Sequence, residues 1–176
     1  PNGKKIAKLV VKYCTPGNVA AFGIESFDKE VVKKNCLNTT PIVAYKAIKI
    51  LNEIGAERGV NGLPKLLPGI NIIFGLIGES KQTQKENMKH LQQFLDEDFL
   101  LRRINIRQVT PFEGTTLYEV AGTKFIKKNK KHYWSWRNQI RQEIDFPMLQ
   151  KLVPKGTILK DIRMEIYDGK NTFGRQ

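Results

Sequence analysis

Three apolar segments of this sequence each end in polar residues, and these ends hold the residue types that could do chemistry. The candidates are Glu25, Ser26, Gly75, Gly78, Glu79 and Arg107. A carboxylate and a hydroxyl can hydrogen-bond a ribose diol or an amino-acid headgroup, and glycine lets a planar ring approach the backbone. The alternative is structural, with Ser26 and Ser80 capping helices and Glu25 as a surface charge. Spacing alone leaves both readings open.

Other kinds of site find little support. Cys14 and Cys36 lie far apart, without the close spacing of a zinc or iron–sulfur site, so we predict ordinary small or semi-buried residues. His90 and His132 each fall on a predicted helix without a second ligand at metal spacing, so we predict surface residues. The sequence contains no phosphate-binding loop and no nucleophile elbow. We therefore predict no metal site in the chain and identify no catalytic residue.

Apolar strand-like and helix-like segments alternate along the chain, which predicts an α/β fold with a parallel sheet. The predicted strands are residues 19–24, 70–77 and 102–109. The predicted helices cover residues 28–34 and 41–55 and a segment that begins at a capping box of Thr83 and Glu86. Residues 57–69, rich in Gly and Pro, are predicted to be a loop. Because parallel strands end at one edge, the polar strand ends are expected to gather at one rim.

The character of the chain changes near Lys127, where a long basic helix is predicted. Tyr133, Trp136, Ile140 and Ile144 mark one face of this helix at helical spacing. Residues 158–167 alternate as in a strand of a small antiparallel element, followed by a turn at residues 168–169. The sequence stops before a return strand could be completed, and it is expected to be cut at both ends.

The basic helix is also the candidate nucleic-acid site. Its cations are Lys127, Lys128, Lys130, Lys131 and Arg137. Together with the formal charge of +13, these cations and the neighbouring aromatic residues favour a phosphate-rich partner such as RNA. The competing interpretation is a solvated helix whose aromatic residues pack on the rest of the domain.

Three stretches of the sequence resemble the radical S-adenosylmethionine (radical SAM) superfamily, in particular its methylthiotransferase-like and Elongator-like branch of archaeal type. Residues 21–33 resemble the fourth barrel strand and the helix after it. Residues 67–80 resemble the fifth strand, with its glycine and terminal acidic residue. Residues 102–115 resemble the sixth strand and its Pro-Gly-Thr-like ending. The resemblance spans residues 19–115 in the correct order.

This resemblance implies the C-terminal half of a partial parallel (β/α) barrel over residues 1–125, followed by a basic helix and a small antiparallel β element over residues 126–176. It implies a parent enzyme that uses a [4Fe-4S] cluster to cleave S-adenosylmethionine to a 5′-deoxyadenosyl radical. Glu25 and Ser26 would contact the ribose or methionyl group, the strand carrying Gly75 and Gly78 would pass the adenine, and Glu79 would close its end.

The family motif CxxxCxxC does not occur in the sequence. The expected partner is therefore a missing N-terminal half of the same chain, and neither cofactor is expected to bind this segment tightly. A cytoplasmic protein without membrane contact is expected, since the sequence has no long apolar run and no secretory signal at its start. The alternative function is a non-catalytic basic module for RNA binding or assembly.

Overall fold

The structure is a computed structural model that describes residues 2–175. Within this range, the α-helices are α1 (Asn2–Tyr13), α2 (Lys29–Lys34), α3 (Pro41–Gly55), α4 (Lys81–Asp96), α5 (Thr116–Ala121), α6 (Lys124–Gln139) and α7 (Phe146–Leu152). The strands are β1 (Asn18–Glu25), β2 (Leu66–Phe74), β3 (Arg103–Gln108), β4 (Arg163–Tyr167) and β5 (Thr172–Arg175). The order of elements confirms the predicted α/β class.

Strands β1, β2 and β3 form a three-stranded parallel sheet with β2 in the centre. Each pair of consecutive strands is joined through helices, as parallel pairing requires. Pro68 is tolerated in the central strand because it lies near the beginning of β2. Its carbonyl accepts from the N–H of Arg102, so its missing N–H faces the side on which β3 is only beginning.

One face of this sheet is covered by helices and forms the main core. Ile70, Ile72 and Phe74 alternate along β2 and are at most 2% exposed. They pack with side chains from α3, α4, α6 and the chain that follows α6. These helical side chains are Ala44, Ile48, Leu91, Phe94, Leu95, Trp136, Ile140, Ile144 and Met148. The alternation of apolar residues along the strands thus positions the sheet against one helical layer.

The opposite face of the sheet, here called the open face, has no such layer within residues 2–175. Asn71 and Ile73, which alternate with the buried residues of β2, are only half-buried, and Arg107 on β3 is exposed. The open face consists of Ala21, Gly23, Asn71, Ile73, Arg103, Asn105 and Arg107, whereas Leu67 and Gly69, on the same side at the beginning of β2, are buried. A parallel sheet is ordinarily covered on both faces, so the open face is an unusual feature.

The basic helix is longer than predicted and begins at Lys124 rather than Lys127. It runs through a π-helical segment, Ile140–Asp145, directly into α7. Pro147 lies in the first turn of α7. Proline has no N–H to donate and its ring collides with the carbonyl four residues earlier, so the wider π turns before it let the helix continue.

Two predicted boundaries in the sheet layer were wrong. Strand β2 begins at Leu66, inside the predicted loop, and ends at Phe74, so residues 75–80 form a turn rather than the end of the strand. Helix α4 is capped by Ser80, whose partner in the capping box is Thr83, and not by Thr83 with Glu86. The sequence pattern missed this because Thr83 supplies the reciprocal hydroxyl that Glu or Gln usually supplies.

The last part of the chain forms an antiparallel pair, β4 with β5. The predicted strand over residues 158–167 is shorter than expected, and the return strand that was expected to be incomplete is present as Thr172–Arg175. The π segment and α7 contribute Ile144 and Met148 to the main core, so the chain as far as α7 packs with the sheet. The domain boundary at residue 125 stays a prediction.

Candidate functional site

The carboxyl ends of the three parallel strands lie at one rim, as the strand ends in the sequence predict. Strand β1 ends in a β-bulge between Gly23 and Glu25, and Glu25 has a positive φ of 64°. The bulge turns the Glu25 side chain back over Gly23, since a Cβ at Gly23 would lie 2.7 Å from Glu25 Oε1. A larger residue than glycine at position 23 would therefore displace the carboxylate.

Glu25 and Arg107 are the two charged candidates that share the open face near this rim. Burial raises the pKa of the Glu25 carboxyl, and the positive charge of Arg107 acts in the opposite direction. Glu25 Oε2 is buried and has no hydrogen-bond partner within the described residues. A buried carboxylate oxygen without a donor is a position at which a ligand hydroxyl or ammonium group would be accepted.

Glu79 occupies a different environment from Glu25. It is 1% exposed, and its carboxylate accepts from the Gly75 N–H (2.7 Å) and from Asn129 Nδ2 (2.8 Å). Burial raises its pKa to about 7, although both hydrogen bonds favour the charged form. Glu79 therefore joins the turn after β2 to helix α6, and its oxygens are already used inside the protein.

Gly75 and Gly78 both have positive φ, of 97° and 88°. A Cβ at Gly75 would lie 2.8 Å from Ile126 Cγ1 and from Val109 Cγ1, so this glycine is required for packing against the protein's own side chains. A Cβ at Gly78 would lie 2.9 Å from Lys34 Cδ. Both glycines shape the turn after β2, and their absent side chains face protein atoms.

Ser26 is also buried, at 1% exposure, and its Oγ accepts from the Asp28 N–H. It does not cap helix α2, because the N-cap is Asp28. The Asp28 carboxylate in turn accepts from Thr83 Oγ1 (2.7 Å), which joins the end of β1 to helix α4. Ser80, by contrast, is the helix cap that the structural reading of the sequence predicts.

Asparagine side chains hold the rim together, and the sequence analysis did not identify them. Asn35 donates to the Ile77 carbonyl (2.9 Å) and accepts from the Ile77 N–H (3.0 Å), which ties α2 to the turn after β2. Asn87 accepts from the Phe27 N–H (2.8 Å). These asparagines lie in helices or at their ends, where a polar residue carries no distinctive sequence signal.

A further asparagine pair lies on the open face. Asn105 Nδ2 donates to Asn71 Oδ1 (2.8 Å), and the two residues are register partners in β2 and β3. Both occur in an Ile-Asn-Ile triplet, at residues 70–72 and 104–106. A polar residue at the same place in two apolar strands was a signal that could have revealed this pair.

The candidate nucleic-acid residues lie together on α6. One open depression on α6 is lined by Lys127, Lys128, Lys130, Lys131 and Trp134. These five residues together with Arg137 are here called the basic face. Trp134 is 63% exposed, and the Arg137 guanidinium lies over its ring at 5.4 Å. Trp136 and Tyr133 instead pack against Phe74 in the core. The sequence posed stacking and core packing as alternatives, and the aromatic residues of this helix divide between the two environments.

Metal-binding side chains do not cluster in the described part of the chain. No three His, Cys, Asp or Glu residues among residues 2–175 come together as metal ligands would. Cys14 and Cys36 are both exposed. His90 and His132 are on helices as predicted, but both are half-buried and stack on Phe27 and Trp136 rather than standing free in solvent. Among the described helices, none combines the length and the apolar character needed to cross a lipid bilayer.

No family model matches this chain. An uncharacterized protein of Methanocaldococcus jannaschii is 51% identical to it over 174 residues, which cover 98% of the chain and 32% of that protein. An uncharacterized protein of Archaeoglobus fulgidus is 45% identical over 172 residues, with the same coverage of 98% and 32%. The chain thus spans about a third of the length of the curated relatives that it matches.

Proposed function

We propose that this chain is part of a longer radical SAM iron–sulfur protein and that its strand ends form part of the S-adenosylmethionine pocket. In this proposal β1, β2 and β3 are the C-terminal half of a partial (β/α) barrel. The observation that carries the proposal is the open face of the parallel sheet, which bears polar and charged residues where a helical layer is normally found. In a barrel, this face is the interior.

The edges of the sheet support the same arrangement. Strand β1 has the apolar sequence Val-Ala-Ala-Phe-Gly-Ile, yet it pairs on one side only within residues 2–175. Natural proteins rarely leave an apolar edge strand unprotected. Relatives about three times as long as the chain have enough additional residues to supply neighbouring strands.

Glu25 and Arg107 are the proposed contacts for the cofactor. The Glu25 carboxylate would accept from the ribose hydroxyls or the methionyl ammonium group, and the Arg107 guanidinium would donate to the methionyl carboxylate. Ser26, Gly75, Gly78 and Glu79 are proposed as supporting residues, since each is occupied by contacts inside the protein. These supporting contacts keep the rim loops in place around the two charged side chains.

The two cysteines of this chain do not fit a [4Fe-4S] cluster, because three suitably spaced thiolates are needed and the sequence has only two cysteines. The cluster that supplies the electron for cleavage of S-adenosylmethionine would be held by residues outside this chain. The residues of this chain would therefore contribute the binding and orientation of the nucleoside and the amino-acid group.

The test measures S-adenosylmethionine affinity and 5′-deoxyadenosine formation in the intact, anaerobically reconstituted protein. Glu25→Gln and Arg107→Gln are each expected to weaken binding by about 10- to 100-fold, because each removes a charge-assisted hydrogen bond. Arg103→Gln is the matched control, since Arg103 lies on the same strand and the same face but four residues farther from the rim. Normal affinity in both rim variants, or no binding by an iron-loaded protein, would contradict the proposal.

A further inference from the structure

The basic face of α6 is positively charged over its whole length and is not neutralised within the described chain. From residue 120 to residue 142 the sequence contains no Asp or Glu but carries Lys124, Lys127, Lys128, Lys130, Lys131, Arg137 and Arg141. No ion pair within residues 2–175 involves any of the basic-face cations. Uncompensated cations packed along one helix repel one another and attract phosphate groups.

An aromatic ring lies in the middle of these charges. One side of the helix carries Lys127, Lys131 and Trp134, because Lys131 lies four residues after Lys127 and Trp134 three residues after Lys131. Asn129 and Trp136 are buried on the opposite side, at 6% and 7% exposure. The exposure of Trp134, 63%, is therefore not a result of loose packing, because its helix is anchored by its other face.

We propose that the basic face of α6 is a docking surface for single-stranded nucleic acid, with a base stacked on Trp134 and adjacent phosphates bound by the lysines. Stacking on an exposed aromatic ring beside cations is the usual way in which proteins hold single strands. A duplex does not offer an accessible base face to Trp134. This inference is independent of the radical SAM proposal, since it uses none of the rim residues.

An anionic membrane fits this surface less well than a single strand does. A helix that lies on a membrane inserts its apolar side into the lipid. The apolar side of α6 is already buried, with Trp136 in the main core and Ile140, the first residue of the π segment, beside it in the same core. The exposed side offers one aromatic residue surrounded by cations, which suits alternating bases and phosphates rather than a continuous lipid phase.

The test uses the intact protein with a fluorescent 12-nucleotide oligouridine, the corresponding oligodeoxythymidine, an RNA duplex of the same length and vesicles containing phosphatidylserine. We expect both single strands to bind better than the duplex and the vesicles. Changing Lys127, Lys128, Lys130 and Lys131 to Gln should lower the slope of log affinity against log salt concentration by about 3, at about 0.7 per phosphate contact. The matched control changes four exposed lysines of α1, namely Lys4, Lys5, Lys8 and Lys12, and should leave the slope unaltered.

Trp134 separates stacking from simple charge attraction. Trp134→Ala is expected to weaken oligouridine binding by about fivefold or more without changing the salt slope, and Trp134→Phe should restore most of the loss. Oligonucleotide should also quench the exposed Trp134 and leave the emission of buried Trp136 unchanged. The proposal is overturned if the duplex or the vesicles bind best, if neither single strand binds at low salt, or if Trp134→Ala has no effect.

Discussion

Glu79 is a buried carboxyl whose charge state bears directly on stability. Burial raises its pKa to about 7 in the folded protein, compared with an ordinary value of 4.5. The folded state therefore holds this proton more tightly than the unfolded chain does. Its contribution to stability is fully present below about pH 4.5 and is lost as the pH rises towards 7.

We predict that Glu79→Gln removes this pH dependence. The difference in unfolding free energy between the natural chain and the variant should fall by about 3 kcal/mol from pH 4.5 to above pH 7. Urea denaturation at a series of pH values measures the difference. His90, whose pKa is lowered by burial, acts in the opposite direction but is present in both proteins and cancels.

The exposed Glu53 provides the control for this measurement. Glu53→Gln removes the same charge from an exposed site without hydrogen-bond partners among the described residues, so it measures the effect of losing a surface charge separately from the effect of the buried carboxyl. Parallel stability profiles for the natural chain and Glu79→Gln would show that the buried carboxyl does not carry the effect.

At the scale of elements, the turn between β2 and α4 joins the sheet to helix α6. Its first residue, Gly75, has a positive φ, and a Cβ at this position would lie 2.8 Å from side-chain atoms of Val109 and Ile126, which belong to two other segments. Gly114 also has a positive φ, of 80°, but has no atom within 4 Å of the position of a Cβ. The two glycines thus share a backbone requirement and differ in their surroundings.

We predict that Gly75→Ala destabilises the protein more than Gly114→Ala does. The Gly114 change should cost about 1 kcal/mol for the left-handed backbone alone. The Gly75 change adds the collisions with Val109 and Ile126 and should cost about 1–3 kcal/mol more. Thermal or urea unfolding measures both values. Equal losses would mean that the turn does not hold α6 against the sheet.

Elements with strong local signals were predictable from the sequence. Helix α3 covers Pro41–Gly55, as predicted, and its N-cap is Thr40. The beginning of β2 was missed because Pro68 and Gly69 are typical of loops, whereas here the parallel pairing with β1 holds them in a strand. Local composition identifies an element reliably only where tertiary pairing does not override it.

The candidate site was predictable in part for the same reason. Strand ends in the sequence placed Glu25 and Arg107 at one rim, since that follows from parallel pairing. The burial of Glu79 and Ser26 was not predictable from local sequence. Glu79 is hydrogen-bonded to Asn129 of α6, which is distant in sequence, and Ser26 is hydrogen-bonded to the Asp28 N–H at the beginning of α2. A polar residue after a strand has the same appearance in sequence whether it faces solvent or protein.

At the scale of the whole molecule, the main question is whether the rest of the intact protein covers the open face. Ala21 is exposed on this face, in the apolar edge strand β1. If a barrel closes in the intact protein, Ala21 lies in its interior. If no barrel closes, Ala21 stays at a surface where any polar side chain is tolerated.

We predict that Ala21→Lys destabilises the intact protein by about 2 kcal/mol or more, since it would place an unpaired charge in a packed interior. Asn38→Lys, at an exposed position between α2 and α3, is the control and should stay within about 0.5 kcal/mol of the natural protein. Thermal unfolding of the three proteins decides between the two cases. A neutral Ala21→Lys would leave the open face at the surface and remove the main support for a barrel.

The asparagine pair of the open face also bears on how the sheet assembles. Side chains of a strand alternate between its two faces, so a pairing error of one residue would move Asn71 or Asn105 into the apolar layer that contains Ile70 and Ile104. Burying an amide without a partner costs about 1–3 kcal/mol. The correct pairing joins the two amides to each other, at 2.8 Å. The pair therefore raises the free energy of folding intermediates in which the strands are misaligned and lowers that of the native alignment, whatever the completed protein binds.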